Sequence, residues 1–399
     1  MPFIRRTPGV EQKIELLGDA AGDDACASSW SEQRRIFAPR RSFPPSRLRS
    51  AVYTSVRPGG GTIRLFKILL DNRCRMDCRY CGLRASATTP ECRFEPEELA
   101  RTFIDLHRRR IVEGLFLSSA IPDHPERVQE KMIAAVAILR ERYLFRGYVH
   151  LKILPGVSEG AVAEACRVAD RVSVNLEAPN QSRLSLIAPH KNLKEGMIQR
   201  LAWAKCCAQA RGKVTAGLTT QFVVGAAGES DQEIMAASDW LYRNLSLRRA
   251  YYSALRPVRG TPLEGAVAPP PIREHRLYQS DWLLRFYGFS FAELPFDSAT
   301  GDLPLDTDPK LAWATAHPEF FPVEINRAAK EELLRVPGLG PASTDKILGL
   351  RKEGKITSLE PLKKIRVPTG RARNFLTLDG RYCPGKEKEE PSDQLLLSL

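Results

Sequence analysis

No run of the 399-residue sequence reaches the roughly 20 consecutive apolar residues that a membrane span requires, and the N-terminus lacks the apolar core of a secretory leader. Those two absences set the expectation of a cytoplasmic protein with no membrane partner. The nine cysteines do not fall into a disulfide framework, which fits a reducing compartment. Acidic residues are in deficit, with 47 Asp and Glu against 60 Lys and Arg, for a formal net charge of +13. Such an excess suits a polyanionic partner, either nucleic acid or an anionic surface. The length suffices for one large domain and a smaller one.

What is present begins with Asp71-Asn72-Arg73-Cys74-Arg75-Met76-Asp77-Cys78-Arg79-Tyr80-Cys81, three thiols in a C-x3-C-x2-C spacing. The apolar run Thr62 to Leu70 before it reads as a buried strand leading into a loop. Three thiolates can hold three irons of a four-iron, four-sulfur (4Fe–4S) cube and leave the fourth iron open to a substrate or cofactor. A zinc site needs a fourth ligand, and the nearest histidine, His107, lies beyond a helix-like stretch. Three inert core cysteines are the other alternative, but an Arg-rich polar loop is a poor place for them. No second cysteine group has cluster spacing. Cys166, Cys206 and Cys207 lie in helical patterns and read as small core hydrophobes, while Cys26, Cys92 and Cys383 are solitary.

From Thr62 to about Tyr287 strands and helices alternate in six βα-like units, the pattern of a parallel α/β domain and of a partial rather than a complete eight-strand barrel. Within it Asp123 is the expected cap of a helix reaching about Leu144, and Ser158 precedes another. In a parallel barrel the site gathers at the C-terminal strand ends, where polar residues are costly unless they meet partners or a ligand. His150 and Lys152 share one strand face, as do Asn175 and Glu177, Thr219 and Gln221, and Tyr251 and Ser253. Glu177 suits a ribose diol, and Lys152 or Arg183 a carboxylate. Satisfied core polar residues are the plainer reading of any one of them. No residue stands out as a hydrogen-atom donor.

The cysteine spacing, with Tyr80 as the aromatic before the last thiol, resembles the radical S-adenosylmethionine (SAM) superfamily. The resemblance implies a partial (β/α)6 barrel, a 4Fe–4S cluster on Cys74, Cys78 and Cys81, and SAM on the open iron, cleaved to a 5′-deoxyadenosyl radical. At the second strand the superfamily's Gly-Gly-Glu-like segment is replaced by Glu113 to Ala120, so Ser118, Ser119 and backbone carbonyls take the SAM amino group. Val223 to Glu229 looks like the glycine motif beside adenine, and Arg256 to Leu263 like the sixth-strand exit loop. SAM contacts are thus expected from Tyr80, Ser118, Ser119, Lys152, Asn175, Glu177, Arg183 and Gln221.

Leu294 to Pro322 reads as a linker. Beyond it Pro337-Gly338-Leu339-Gly340-Pro341 lies between two helical stretches, with Ser343 and Lys346 following, and resembles a helix-hairpin-helix (HhH) module. Its glycines allow close approach of backbone N–H groups to a DNA phosphate at a helix N-terminus, without reading sequence. Gly338, Leu339, Gly340, Ser343 and Lys346 are the expected contacts, with Asp345 opposing them. For this module an ordinary αα-hairpin with a Pro-Gly turn, or an HhH used for protein contacts, is the plainer alternative, and Leu359 to Leu376 looks like a second, degenerate hairpin with Pro368-Thr369-Gly370 at its turn. The expected organisation is 1–61 a basic, partly disordered extension, 62–293 the barrel, 294–322 the linker, 323–383 a small all-α HhH domain and 384–399 a disordered tail.

The combination resembles the DNA modification or repair radical SAM proteins, which are often encoded beside a uracil-DNA-glycosylase-like protein. It implies DNA as partner and an electron donor such as flavodoxin or ferredoxin. The alternatives are a non-catalytic iron–sulfur DNA-binding protein and a radical SAM enzyme acting on RNA or protein.

Overall fold

The computed structural model describes residues 8–22, 48, 50–56, 61–211 and 214–382. They group into two compact units, one holding the chain to Glu229 with Trp240–Pro271, the other Ser230–Asp239 with the chain from Ile272 onward.

The first unit is built on a seven-stranded sheet whose spatial order follows the chain. β1 (Val52–Val56) lies antiparallel to β2 (Thr62–Leu69). The others, β3 (Gly114–Ser118), β4 (Val149–Lys152), β5 (Arg171–Ser173), β6 (Gly217–Val224) and β7 (Arg249–Ala254), continue from β2 as parallel neighbours. Strictly sequential parallel strands joined by helices curl in one hand, and six of them give the expected partial barrel. The crossovers carry α2 (Pro96–Arg108), α3 (Pro125–Glu141), α4 (Glu159–Val168), α5 (Gln181–Ile187), α6 (Gln199–Arg211) and α7 (Asp231–Leu245).

Helix starts follow local chemistry. Pro96, Glu97 and Glu98 fill the first turn of α2, and the Ser158 hydroxyl accepts from the Ala161 amide to cap α4. The cap of α3 differs from expectation: His124 takes it, accepting from the Glu126 amide, while Asp123 pairs with Arg127 at 3.2 Å. Two basic neighbours (the second is Arg75) draw the Asp123 carboxylate off the backbone.

Residues in register on parallel neighbours face the same side. On the inner face Lys67 lies beside Phe116 and Phe116 beside His150. His150 packs on Phe116, centroids 4.4 Å apart, and its Nε2 meets the Ser173 hydroxyl at 2.9 Å. This histidine is a satisfied floor residue of the barrel rather than part of its mouth.

The described parts of the N-terminal extension are regular structure. α1 (Val10–Ala20) buries Ile14 and Leu17, and Lys13 pairs with Glu98 at 2.7 Å. Gly18 crosses so close to the chain entering β1 that a Cβ there would stand 2.8 Å from Ala51 Cβ. Cys26 and Cys383, and the 384–399 tail, lie outside the described residues.

In the second unit α8 (Pro271–Phe286) precedes the stretch expected to be a linker, which instead contributes core. Leu303 and Trp313 are buried there, and Asp308 caps α9 (Pro309–Ala316). The Arg335 guanidinium lies 3.9 Å over the Phe289 ring and 5.5 Å from Trp313. The hairpin helices are α10 (Lys330–Arg335), α11 (Pro341–Leu350) and α12 (Glu360–Lys364). They share a core of Ile325, Leu333, Val336, Leu339, Ile347 and Leu362. To this helical region the structure adds a small sheet in the order β10 (Arg381–Tyr382), β9 (Leu376–Leu378), β8 (Val323–Glu324). Burial would raise the Glu324 carboxyl, but the Gly380 and Asn326 amides and the Thr377 hydroxyl donate to it and hold it at about 2.

Two outcomes follow. Gly18→Val forces α1 off the chain before β1 and lowers stability by about 1–3 kcal/mol, read as earlier melting and faster proteolysis at α1. Because Glu324 stays ionised in the fold to lower pH than its ordinary 4.5, its contribution is complete above that value and is lost as pH falls toward about 2. Acid unfolding of Glu324→Gln, followed by circular dichroism, should be shallower over that window.

Candidate functional site

The cysteine loop leaves β2 at the C-terminal edge of the sheet and is pinned by its own backbone. Asn72 clamps it, its side chain accepting from the Cys92 amide at 2.7 Å and donating to Pro90 O at 2.9 Å. The Arg75 amide donates to Ile121 O and the Arg79 amide to Ile187 O, both at 2.8 Å, and Asp77 pairs with Arg84. Held so, Cys74, Cys78 and Cys81 line one cavity of about 390 Å³.

Cys78 and Cys81 keep their protons more firmly than ordinary thiols unless a cation joins them. Burial raises the Cys78 thiol and pushes Cys81 up to about 12, and neighbouring thiolates oppose both ionisations further. Lys191 favours both ionisations, and iron bound among the sulfurs would favour them further. Meanwhile the Met76 and Leu83 amides each donate to a sulfur at 3.4 Å, to Cys74 and Cys81, as N–H groups do around cluster ligands. Among the described residues no three His, Cys, Asp or Glu side chains converge on a single metal ion. In a cube each thiolate binds its own iron, so ligands do not meet at one point. The residues present fit a cluster of that kind.

Tyr80, Ser118, Ser119, Lys152, Asn175, Glu177 and Gln221 all line the same cavity. Asn175 Nδ2 donates to Gln221 Oε1 at 3.1 Å, joining β5's continuation to β6. Glu177 is buried and adopts a left-handed φ of 65°, a conformation costing a non-glycine residue about 1–3 kcal/mol. It is held by a backbone bridge to Phe222 and by Lys191, whose Nζ lies 3.1 Å from its carboxylate. The Tyr80 hydroxyl bonds to Glu177 and Cys78. Burial opposes the Lys191 charge, yet nearby Cys78 and Glu177 outweigh it and raise the lysine's pKa.

Arg183 is not among the lining residues. Its guanidinium turns to Ala227 O at 3.2 Å and buttresses the turn after β6, in which Glu229 accepts from the Gly225 and Ala227 amides. From that glycine segment only Val223 lines the cavity; from the β7 exit loop Arg256 and Val258 do. Lys191 and Lys67, both lining, escaped the sequence reading. Lys67 alternates with Phe66 and Ile68 as Lys152 does with Leu151 and Ile153, so the same rule applies to it. Lys191 sits in a loop and carries no such signal. Cys166 is buried as expected, but Cys206 is exposed, on the outer side of α6.

In the second unit Gly338 has φ 90°, and a Cβ there would lie 3.2 Å from the Ala372 amide. Leu339 is buried and its carbonyl accepts from Lys310 Nζ at 2.5 Å, while Gly340 is the N-cap of α11, with Ser343 in its first turn. Burial drops the Lys310 ammonium to about 7. Lys346 donates to Ile365 O at 2.8 Å and so braces the second hairpin. Asp345 pairs with Lys330 at 2.6 Å, which offsets the charge expected to oppose a phosphate. Gly370 has no left-handed φ, so the second turn departs from the first, and the hairpin closes with a 3-10 turn, Ala372–Phe375.

Residues 68–241 match the family model of the radical SAM superfamily, and residues 320–367 that of a helix-hairpin-helix motif. The chain therefore carries a radical SAM domain followed by an HhH motif; enzymes of that superfamily bind a 4Fe–4S cluster and SAM. No curated protein matches the chain. Among solved structures it is similar to HydG, a maturase of the FeFe-hydrogenase, with 13% identity, TM-score 0.43, and 54% of this chain and 48% of that one covered. It is similar to methylornithine synthase, PylB, with 13% identity, TM-score 0.44, and coverage of 54% and 60%. A third is the radical SAM methyltransferase TsrM from Kitasatospora setae, with 15% identity, TM-score 0.38, and coverage of 49% and 35%. The chain thus spans between about a third and three fifths of these proteins.

Lys191→Met leaves the Glu177 carboxylate buried without its cation, which costs about 3–5 kcal/mol. The double variant with Glu177→Gln should recover most of that loss, as denaturant unfolding of all three proteins will measure.

Proposed function

We propose that the chain is a radical SAM enzyme that acts on DNA, repairing a lesion or installing a base modification. The observation that carries the enzymatic part is the convergence of three loop thiols and the polar strand ends Lys152, Asn175, Glu177 and Gln221 on one cavity. When bound there, the cluster and SAM would supply one-electron cleavage of the sulfonium to a 5′-deoxyadenosyl radical that abstracts hydrogen from the substrate.

The chain's own residues bind and orient. Ser118, Ser119 and adjacent carbonyls take the SAM amino group, and Lys152 takes its carboxylate. Glu177, fixed by Lys191, and the Asn175–Gln221 pair accept from and donate to the ribose hydroxyls. Tyr80 bridges Glu177 to the cysteine loop and couples the two sites. Arg183 acts at one remove, through the turn it supports.

DNA as the partner is supported by the Gly338-Leu339-Gly340 turn opening α11, by the pairing of Asp345, and by the net charge of +13. The base to be altered would have to leave the stack to reach the barrel mouth. The one-electron donor would be a flavodoxin or ferredoxin, and a uracil-DNA-glycosylase-like protein would act on the same DNA.

Anaerobic reconstitution, reduction and addition of SAM should yield 5′-deoxyadenosine, more of it with duplex DNA, and none from Cys78→Ala. Formation indifferent to DNA reopens the substrate as RNA or protein, and none from an intact cluster sinks the enzymatic reading. Gly338→Val should weaken duplex binding at every sequence alike, and Lys346→Ala should lower the slope of log affinity against log salt by about one, both read by fluorescence anisotropy.

A further inference from the structure

The cavity has a second part that the SAM contacts leave unused. Its lining falls into two sets: residues within 68–241, and residues outside that span. The outer set has two groups: Ser253 to Val258, on β7 and its exit loop, and, beside β1, the end of α1 with Gly18 and Gly22, Ser50, Tyr53 and Lys67.

The register says where this part lies. Leu69 is level with Ser118, and Lys67 with Phe116. Lys67 is therefore one pleat below the SAM-binding strand ends, about 6.6 Å along β2. Farther along that layer the barrel is filled by the Phe116–His150 stack and the His150–Ser173 bond, and neither Phe116 nor His150 lines the cavity. Beside β1 the lining extends downward instead, to Lys67, Tyr53 and the end of α1, a part termed the branch below. Lys67 is 3% exposed there, with its Nζ 5.9 Å from the Tyr53 ring centroid and 3.3 Å from Gly22 O. The far wall is held by α1, through Lys13–Glu98 and the close Gly18–Ala51 crossing.

We propose that this branch is a second ligand compartment, distinct from that for SAM, which takes the extruded nucleobase of the DNA substrate. Tyr53 supplies an aromatic face for a planar ring, and Lys67 supplies N–H donors for carbonyl or phosphate oxygens carried by that ring's nucleotide. A cation beside an aromatic face suits a flat, acceptor-rich ligand, whereas the amino acid and ribose portions of SAM already have the groups one layer up. The N-terminal segment, by forming the branch, determines which base fits. The assignment of a nucleobase rests on the DNA reading above.

The test uses the full chain with its cluster reconstituted. Two quantities are measured: SAM affinity, from the change SAM causes in the electron paramagnetic resonance of the reduced cluster, and the oligodeoxynucleotide concentration that half-stimulates 5′-deoxyadenosine formation. Lys67→Met and Tyr53→Leu should keep SAM affinity within about twofold while raising the oligonucleotide requirement at least about tenfold. Lys67→Arg should restore part of it, and Asn175→Ala should do the reverse, weakening SAM. Melting curves establish that each variant is folded, and Tyr53→Leu serves if Lys67→Met is not. SAM affinity lost in Lys67→Met as in Asn175→Ala, or an unchanged oligonucleotide requirement, overturns the compartment. A wild-type protein that ignores DNA fails the DNA reading and the nucleobase with it, whereas a DNA response that Lys67→Met and Tyr53→Leu leave unchanged fails the compartment alone.

Discussion

Three thiols brought out of water beside one another are the constraint on which the site depends. Ionisation of Cys78 and of Cys81 is opposed by burial and by the neighbouring sulfurs, so a cation among the sulfurs would stabilise their thiolates. The surrounding structure is arranged around that demand. Amides of Met76 and Leu83 face sulfur, Lys191 places its charge within range, and Asn72 and the Asp77–Arg84 pair keep the loop from relaxing outward. Glu177 then balances Lys191, and its unusual backbone is tolerated because β6 and Lys191 together leave it no alternative.

Much of this was legible in residues alone. Cysteine spacing needs no tertiary information, and strict alternation alone puts Lys152, Asn175 and Gln221 each on the polar face of its strand. The Pro-Gly-Leu-Gly-Pro turn is equally local. What escaped depends on approach between distant segments. Arg183 was expected at a carboxylate because it follows the strand end closely, but its helix directs it to the Ala227 carbonyl. Lys191 belongs to a loop whose position follows only from the packing of α5 and the π-helical turn after it, Leu193–Ile198.

The segments that looked weakest in sequence were misjudged for a common reason. Pro-, Asp- and Thr-rich stretches read as connectors when their few large apolar residues are averaged away. Trp313 and Leu303 are such residues, and each is buried. The described N-terminal residues, by contrast, hold the short helix that Ile14 to Leu17 suggest: Ile14, Leu17 and Gly18 dock it, and Lys13 pairs with Glu98. A short helix needs few contacts when one of them is a close backbone crossing.

Strand order that follows chain order has a consequence for synthesis. Each new strand finds its neighbour already synthesised, so β2 to β7 can be added one after another as the polypeptide emerges. The cysteines leave the ribosome right after β2, more than ninety residues ahead of Asn175 and Glu177 and more than one hundred ahead of Lys191. For that interval the sulfurs stand open to solvent and to whatever delivers iron, and the walls that later exclude water and oxygen are added afterward. The sealing of the chamber thereby comes after the synthesis of its sulfurs, by the order of the strands.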